Sequence, residues 1–188
     1  MPIAATSVAG TGLSRRPSRT HTSSVFMRFT LVDKVVELEP GRRIVAIKNL
    51  TLAEEYLADH FPGFPVMPGV FMLEAMTQAS AWLIRAGEDF ANSQVTLKEA
   101  RNVKYASFVE PGQTLTITAE VISQDEHTTK LKAQGMVGDV QTVSARLVLE
   151  RYNLADADPT KEVTDGVVRH KMRELFALLW RPAAVAAS

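Results

Sequence analysis

Two side chains suited to acid–base chemistry, His60 and Glu74, stand on either side of a proline-rich segment. Histidine titrates near neutral pH, so it can remove a proton as a general base. A carboxylic acid in an apolar wall can stay protonated near neutral pH and donate that proton, or it can orient a water molecule. A pair of this kind can provide one base and one acid to the same reaction.

Three prolines, Pro62, Pro65 and Pro68, and two glycines, Gly63 and Gly69, lie between the two side chains. Each proline fixes its own φ and lacks a backbone donor, so the segment is predicted to be a stiff, non-helical turn. The glycines provide backbone freedom or allow another group to approach closely.

The residues after Pro68 predict a helix that is apolar on nearly every face and fades by Gly87. Its apolar positions are Phe71, Met72, Leu73, Ala75, Met76, Ala79, Ala81, Trp82, Leu83 and Ile84. Such a helix is expected to be buried on all sides, where an ionised, unpaired Glu74 would be costly. Glu74 is therefore a candidate functional residue. The N–H groups of Gly69 and Val70 begin the helix and could stabilise negative charge on a carbonyl oxygen.

Alternating apolar residues predict antiparallel strands on both sides of this helix. Two strands come before it and form a hairpin around a Pro-Gly turn at residues 39–42. The strands after it are predicted within residues 95–108, 115–121, 131–137 and 143–149. A short helix is predicted to begin at Thr51, with Glu54 as its capping-box partner. The sequence thus predicts an α+β fold with one buried helix.

The N-terminal residues 1–26 differ in composition from the central region, residues 27–153. They are rich in serine, threonine and arginine, and no acidic residue precedes Asp33. This composition predicts a disordered tail or an organellar targeting segment, with Met27 as an alternative start of the protein.

The C-terminal residues 154–188 are predicted to form a linker and an amphipathic helix. The helix is expected to run from Gly166 to about Trp180 and to be capped by Asp165. It is expected to pack on its own domain or on a partner subunit.

The 188 residues carry no net charge and contain no cysteine. Zero net charge gives no general attraction to nucleic acid or anionic lipid, and the lack of cysteine excludes disulfides and thiolate zinc sites. The longest apolar run, residues 70–84, is interrupted by polar residues and predicts no membrane span. No metal is expected at His60, which has no ligand partners at metal-binding spacing. We expect a soluble cytoplasmic protein, or an organellar one if residues 1–26 direct it there.

The central motif reads His-Phe-Pro-Gly at residues 60–63, Pro-Val-Met-Pro-Gly-Val at 65–70 and Leu-Glu-Ala-Met at 73–76, followed by Gln78-Ala79. It closely resembles the motif of the FabZ-type 3-hydroxyacyl-acyl-carrier-protein dehydratases, which belong to the hotdog-fold superfamily. With the flanking strands, the resemblance covers about residues 27–152. It implies a hotdog fold, in which a curved antiparallel sheet of five to six strands wraps around a long buried helix. The C-terminal helix would be an addition to that fold.

The resemblance implies dehydration of 3-hydroxyacyl thioesters on acyl carrier protein to trans-2-enoyl thioesters in fatty acid biosynthesis. His60 matches the family's catalytic histidine, as base, and Glu74 matches its catalytic glutamate, as acid or water-orienting group. The related FabA-type isomerases carry aspartate at the second position, so Glu74 favours the dehydratase. No cofactor is implied, because the thioester itself activates the proton. The residues implied to contact the substrate are Phe61, Phe64, Gly69 and Val70.

The resemblance also implies partners. In the family, the histidine and glutamate of one site come from different subunits of a dimer, and dimers commonly assemble into hexamers. The stiff segment between His60 and Glu74 agrees with such a shared site. The substrate arrives on an acidic carrier protein, for which Arg85, Arg101 and Lys104 are candidate docking residues.

Two other functions stay open. The first is a dehydratase of a specialised lipid or polyketide pathway, and the second is a non-catalytic hotdog protein that binds acyl thioesters. Phe64 occupies a position that is often polar in the family, and residues 87–104 match the family less closely. These differences leave the acyl-chain length open.

Overall fold

The computed structural model describes residues 29–61 and 63–182 of the chain. The main elements are β1 (Lys34–Glu39), β2 (Arg43–Asn49), α1 (Gly69–Gly87), β3 (Gln94–Tyr105), β4 (Thr114–Gln124), β5 (Thr128–Val137), β6 (Val140–Tyr152) and α2 (Glu162–Leu179). The strands form one antiparallel sheet in the order β1-β2-β4-β5-β6-β3. Within these described residues, neither helix is both long and apolar enough to cross a membrane.

The core lies between α1 and the sheet. α1 contacts five strands, β2 to β6, so the sheet curves around it. Side chains from one face of α1 and from alternate strand positions are buried together, among them Met72, Met76, Leu83, Ile117, Leu131 and Leu147. The predicted α+β arrangement is therefore confirmed, with six strands and the additional C-terminal helix.

The Pro-Gly segment at residues 39–42 forms the predicted turn, and a second Pro-Gly segment, at residues 110–113, forms a turn of the same kind. Residues 39–42 and 110–113 each close with a hydrogen bond from the fourth N–H to the first carbonyl oxygen, over 2.9 and 3.1 Å. Gly41 and Gly112 have φ values of +70° and +91°, which glycine adopts without a steric penalty. These turns fix the register of β1 with β2 and the start of β4.

The prediction of a short helix from Thr51 is wrong. Only a single 3-10 turn forms there, at Glu55–Leu57. The Glu54 carboxylate accepts a 2.7 Å hydrogen bond from Lys48 Nζ and caps no helix. Because the Lys48 side chain is buried, its ammonium group needs an acceptor, and it takes the carboxylate that a capping box would have used.

The predicted start of the C-terminal helix is also wrong. α2 begins at Glu162 and not at Gly166, and Asp165 is not its N-cap. Asp158 caps the 3-10 turn Pro159–Lys161, which runs directly into α2 and lengthens it at the N-terminal end. The predicted apolar stripe does pack on the chain's own core, where Leu179 is buried.

Asp165 has a different role, as a buried anchor for α2. Its carboxylate accepts hydrogen bonds from the Ser93 hydroxyl and from the N–H groups of Leu154, at 3.0 Å, and Ala155, at 2.8 Å. Burial raises the pKa of the Asp165 carboxyl, but these donors outweigh burial and hold the pKa below its ordinary value. Asp165 thereby joins α2 to the segment after β6 and to the residue before β3.

An Asp165→Ala variant is expected to lose about 2–4 kcal/mol of unfolding free energy, because the buried Ser93 hydroxyl and two partly buried N–H groups lose their acceptor. Urea unfolding of the full chain measures this loss. The matched control is Glu174→Ala, which removes an exposed carboxylate from the same helix and should change stability by less than about 1 kcal/mol. Equal effects of the two substitutions would contradict the anchoring role.

α1 is not buried on all sides within one chain, contrary to the prediction. Val70 is 65% exposed, and Phe71, Leu73 and Glu74 are half-buried. The first two turns of α1 therefore present a partly apolar surface. The predicted tail, residues 1–26, and the alternative start at Met27 lie outside the described residues.

Candidate active site

His60 lies in the loop between the 3-10 turn and α1. The Phe64 N–H donates a 2.7 Å hydrogen bond to the Phe61 carbonyl oxygen, which closes a tight turn directly after His60. Phe61 has a φ of +52°, a left-handed conformation that is uncommon for a bulky residue. The Met67 N–H donates to the Val109 carbonyl oxygen over 2.9 Å, which fixes the end of the loop to the β3–β4 connection. These two bonds tie the segment after His60 to its own backbone and to the β3–β4 connection.

His60 lines a cavity of about 310 Å³ at the start of α1. Its imidazole ring is half-buried and packs on Phe61, with 4.4 Å between ring centroids. Other walls come from Met67 in the loop before α1, from Gly69 and Met72 on α1, and from Tyr105 at the end of β3.

The start of α1 presents free N–H groups beside this cavity. The N–H groups of Phe71 and Met72 both donate to the Pro68 carbonyl oxygen, at 2.9 and 3.3 Å. Among the described residues, those of Gly69 and Val70 have no backbone acceptor. A Cβ atom added at Gly69 would lie 3.1 Å from the Tyr105 ring, so glycine permits this close approach. The geometry therefore leaves two donors available to an oxyanion.

Glu74 is held by Gln78, one turn further along α1. Gln78 Nε2 donates to Glu74 Oε1 over 2.9 Å and to the Phe29 carbonyl oxygen over 3.0 Å. Gln78 Oε1 accepts from the Leu31 N–H over 2.8 Å. The amide therefore joins the segment before β1 to α1 and orients the carboxyl group.

Glu74 lines a second cavity, of about 280 Å³. Its walls are Gln78, Ala81 and Trp82 on α1, Val95 and Leu97 on β3, and Met172 on α2. No residue lines both this cavity and the cavity of His60. Within one chain, the candidate base and the candidate acid therefore face different spaces.

Arg85 also lines the Glu74 cavity, which contradicts its predicted role in carrier-protein docking. Its side chain is buried, and its guanidinium donates to the carbonyl oxygens of Asn92 and Ser93 at 3.1 Å. Burial lowers the pKa of Arg85 to about 10, so the group remains charged. Arg101 and Lys104, the other two candidates, are exposed on β3.

Of the other residues predicted to contact the substrate, Phe61 and Gly69 line the His60 cavity, whereas Phe64 and Val70 do not. Phe61, Phe64 and Val70 are all about half-exposed or more, and Gly69 is half-buried. The Phe64 ring packs edge-on against Phe108 with centroids 5.7 Å apart. Phe64 therefore adjoins the cavity through Phe108, which lines it.

Gln78 supports the candidate site but is not among the site residues that the sequence predicts. Gln78 lies four residues after Glu74, so the two side chains share one face of α1. This spacing in the sequence is sufficient to predict their contact. Its bonds to the backbone of Phe29 and Leu31 had no local signal, because they join residues far apart in the chain.

A Gln78→Leu variant is expected to lose about 1–3 kcal/mol of unfolding free energy, because the buried Leu31 N–H loses its acceptor. Turnover that depends on Glu74 is expected to fall as well, since its carboxyl group loses the donor that orients it. Chemical denaturation and steady-state kinetics measure the two effects. Gln124→Leu, which replaces an exposed glutamine, is the control. Equal losses of stability in the two variants would contradict the role of Gln78 as a buried hydrogen-bond partner.

The family comparison agrees with this architecture. Residues 26–146 match the model of the FabA-like domain. A 3-hydroxyacyl-[acyl-carrier-protein] dehydratase FabZ from Pediococcus pentosaceus is 40% identical over 116 residues, which are 62% of this chain and 78% of that protein. The FabZ protein of Symbiobacterium thermophilum is 34% identical over 133 residues, which are 71% of this chain and 94% of that protein.

Solved structures share the fold at lower identity. The dehydratase heterocomplex ApeI:P from Xenorhabdus doucetiae has a TM-score of 0.57 at 20% identity, over 71% of this chain and 90% of that one. The E. coli PaaI protein from the phenylacetic acid degradation operon has a TM-score of 0.50 at 14% identity, over 64% of this chain and 79% of that one. The fold is therefore a hotdog fold, and the chain belongs to the FabA-like domain family as a FabZ-type 3-hydroxyacyl-[acyl-carrier-protein] dehydratase.

Proposed function

We propose that this chain dehydrates 3-hydroxyacyl thioesters on acyl carrier protein to trans-2-enoyl thioesters in fatty acid biosynthesis, with His60 and Glu74 as its acid–base pair. The assignment of this pair rests on where the two side chains lie. Each lines a cavity at α1, and free N–H groups of the same helix lie beside the cavity of His60. Relatives that carry the dehydratase name span most of the chain's central region.

The elimination assigns one proton to each group. His60 removes the proton from C2 of the thioester, and the electron pair of that bond forms the C2=C3 double bond. The C3 hydroxyl leaves with a proton from Glu74, as water. Charge that develops on the thioester carbonyl oxygen is stabilised by the N–H groups of Gly69 and Val70. Proton return from the imidazolium to the carboxylate restores both groups.

The active site is composed of two subunits in this proposal. His60 and Glu74 face separate cavities in one chain, so a second copy is needed to bring a histidine to a glutamate. The partly apolar surface at the first turns of α1, which includes Val70 and Phe71, is the part of each chain that the partner would cover. Such a dimer would contain two equivalent sites, related by a twofold axis. Higher assembly of dimers, such as a hexamer, is compatible with this arrangement.

Acyl carrier protein docks, in this proposal, on the exposed basic side chains of Arg101 and Lys104. Both stand at the irregular end of β3, where the register with β6 shifts and Asn102 has a φ of +52°. Tyr105, in the same strand, lines the His60 cavity. A phosphopantetheine arm that enters beside Tyr105 would reach His60 from this surface.

Hydration of a crotonyl thioester, the reverse reaction, tests the proposal. The wild-type protein should remove the absorbance of the enoyl thioester, and it should act faster on the carrier-protein thioester than on a small-molecule thioester. If the protein prefers a carrier protein from a polyketide or specialised lipid pathway, it is a dehydratase of that pathway. Binding of the thioester without any turnover would contradict the dehydratase and support the non-catalytic alternative.

A further inference from the structure

The cavity of Glu74 extends along α1 towards its C-terminal end. Glu74, Gln78, Trp82 and Arg85 all line it, at spacings that place them on one face of the helix. At a rise of about 1.5 Å per residue, the line from Glu74 to Arg85 is roughly 16 Å long. The cavity is thus a groove with the carboxyl group near one end.

One wall of this groove comes from outside the family match. Val95 and Leu97 belong to β3, but Met172 belongs to α2, and the FabA-like match ends at residue 146. The helix that carries Met172 is therefore a feature of this chain beyond the matched domain.

α2 holds Met172 in place from both sides. Asp165 anchors the helix two turns before it, through three hydrogen bonds. One turn after it, the Phe176 ring packs on Trp82 and Phe90, with centroids 5.7 and 5.6 Å apart. Trp82 therefore contacts α2 on one side and lines the groove on another. The position of Met172 is fixed by packing and not by a mobile loop.

We infer that Met172 and Trp82 limit the length of the acyl chain that the enzyme accepts, so that its preferred substrates are short- to medium-chain 3-hydroxyacyl thioesters. This inference rests on the proposed function and adds the substrate class. An acyl chain attached to the carbons beside Glu74 is apolar and flexible, and the groove offers it apolar walls from three elements. Its volume of about 280 Å³ lies just below the range of roughly 300–1,000 Å³ that is usual for ligand cavities.

The test changes the size of residue 172 in both directions. Met172→Ala removes the side chain beyond Cβ and is expected to raise kcat/KM for chains about two carbons longer than the wild-type optimum by roughly tenfold, from the burial of two more methylenes. Met172→Phe is expected to shift the preference towards shorter chains. The measurement is kcat/KM across an even-numbered series of 3-hydroxyacyl thioesters on acyl carrier protein.

Leu175→Ala is the matched control, because Leu175 lies on the same helix and packs against the core without lining the groove. It should lower stability and leave the chain-length profile unchanged. If both Met172 variants are active and show the same dependence of kcat/KM on chain length as the wild-type protein, this inference is wrong and the proposed function stands. If the wild-type protein turns over no chain length, the proposed function fails, and this inference fails with it.

Discussion

A His60→Ala variant is expected to lose about three orders of magnitude in kcat for hydration of a crotonyl thioester, within the range of roughly 10²–10⁴ that a general base contributes. The tight turn at Phe61–Phe64 closes without the imidazole, so the loop should keep its shape. Only the group that removes the C2 proton would then be lost.

His127→Ala is the matched control for this variant. His127 is exposed in the turn between β4 and β5, and its side chain has no assigned role. That substitution should leave kcat unchanged, and both variants should unfold within about 0.5 kcal/mol of the wild-type protein. A His60→Ala enzyme that turns over at the wild-type rate would exclude His60 as the base.

A Glu74→Gln variant is expected to lose about two to three orders of magnitude in kcat, because the amide cannot donate a carboxylic proton to the departing hydroxyl. The glutamine amide oxygen can still accept the hydrogen bond from Gln78 Nε2, so the local structure is preserved. The loss would therefore report the missing acid and not a disturbed helix.

Glu74→Asp separates the chemistry of the carboxyl group from its position. It keeps an acid on a shorter side chain and should retain more activity than Glu74→Gln. Glu126→Gln, at an exposed turn position, is the control for loss of a carboxylate elsewhere. If Glu74→Gln and Glu74→Asp are equally active, the assignment of Glu74 as proton donor is wrong.

The elements that position the site could be predicted because their signals are local. Pro68 and Gly87 bracket a run of apolar residues, and α1 begins and ends within one residue of them. The Pro-Gly pairs at residues 39–42 and 110–113 specify turns that need a positive φ. The alternation in β4 to β6 specifies which side chains face α1.

The features that could not be predicted depend on contacts between distant residues. The local sequence predicts that Asp165 is a helix cap. Its actual partner, Ser93, lies 72 residues away and has no signal near Asp165. The sequence predicts that Arg85 is a solvent-exposed cation near the end of the helix. In the structure its side chain is buried, because it donates hydrogen bonds to two carbonyl oxygens after α1. The partial exposure of Glu74 could not be predicted either, because it depends on which distant residues cover the first turns of α1.

Mixing two inactive variants tests the shared active site most directly. Coexpressed His60→Ala and Glu74→Gln chains should form mixed dimers in which one of the two sites keeps both an intact histidine and an intact glutamate. With random pairing, half of the dimers are mixed, so activity should return to about a quarter of the wild-type value. Each variant alone should stay inactive. If the coexpressed pair is as inactive as the single variants, His60 and Glu74 do not act across a subunit interface, and the proposed site is wrong.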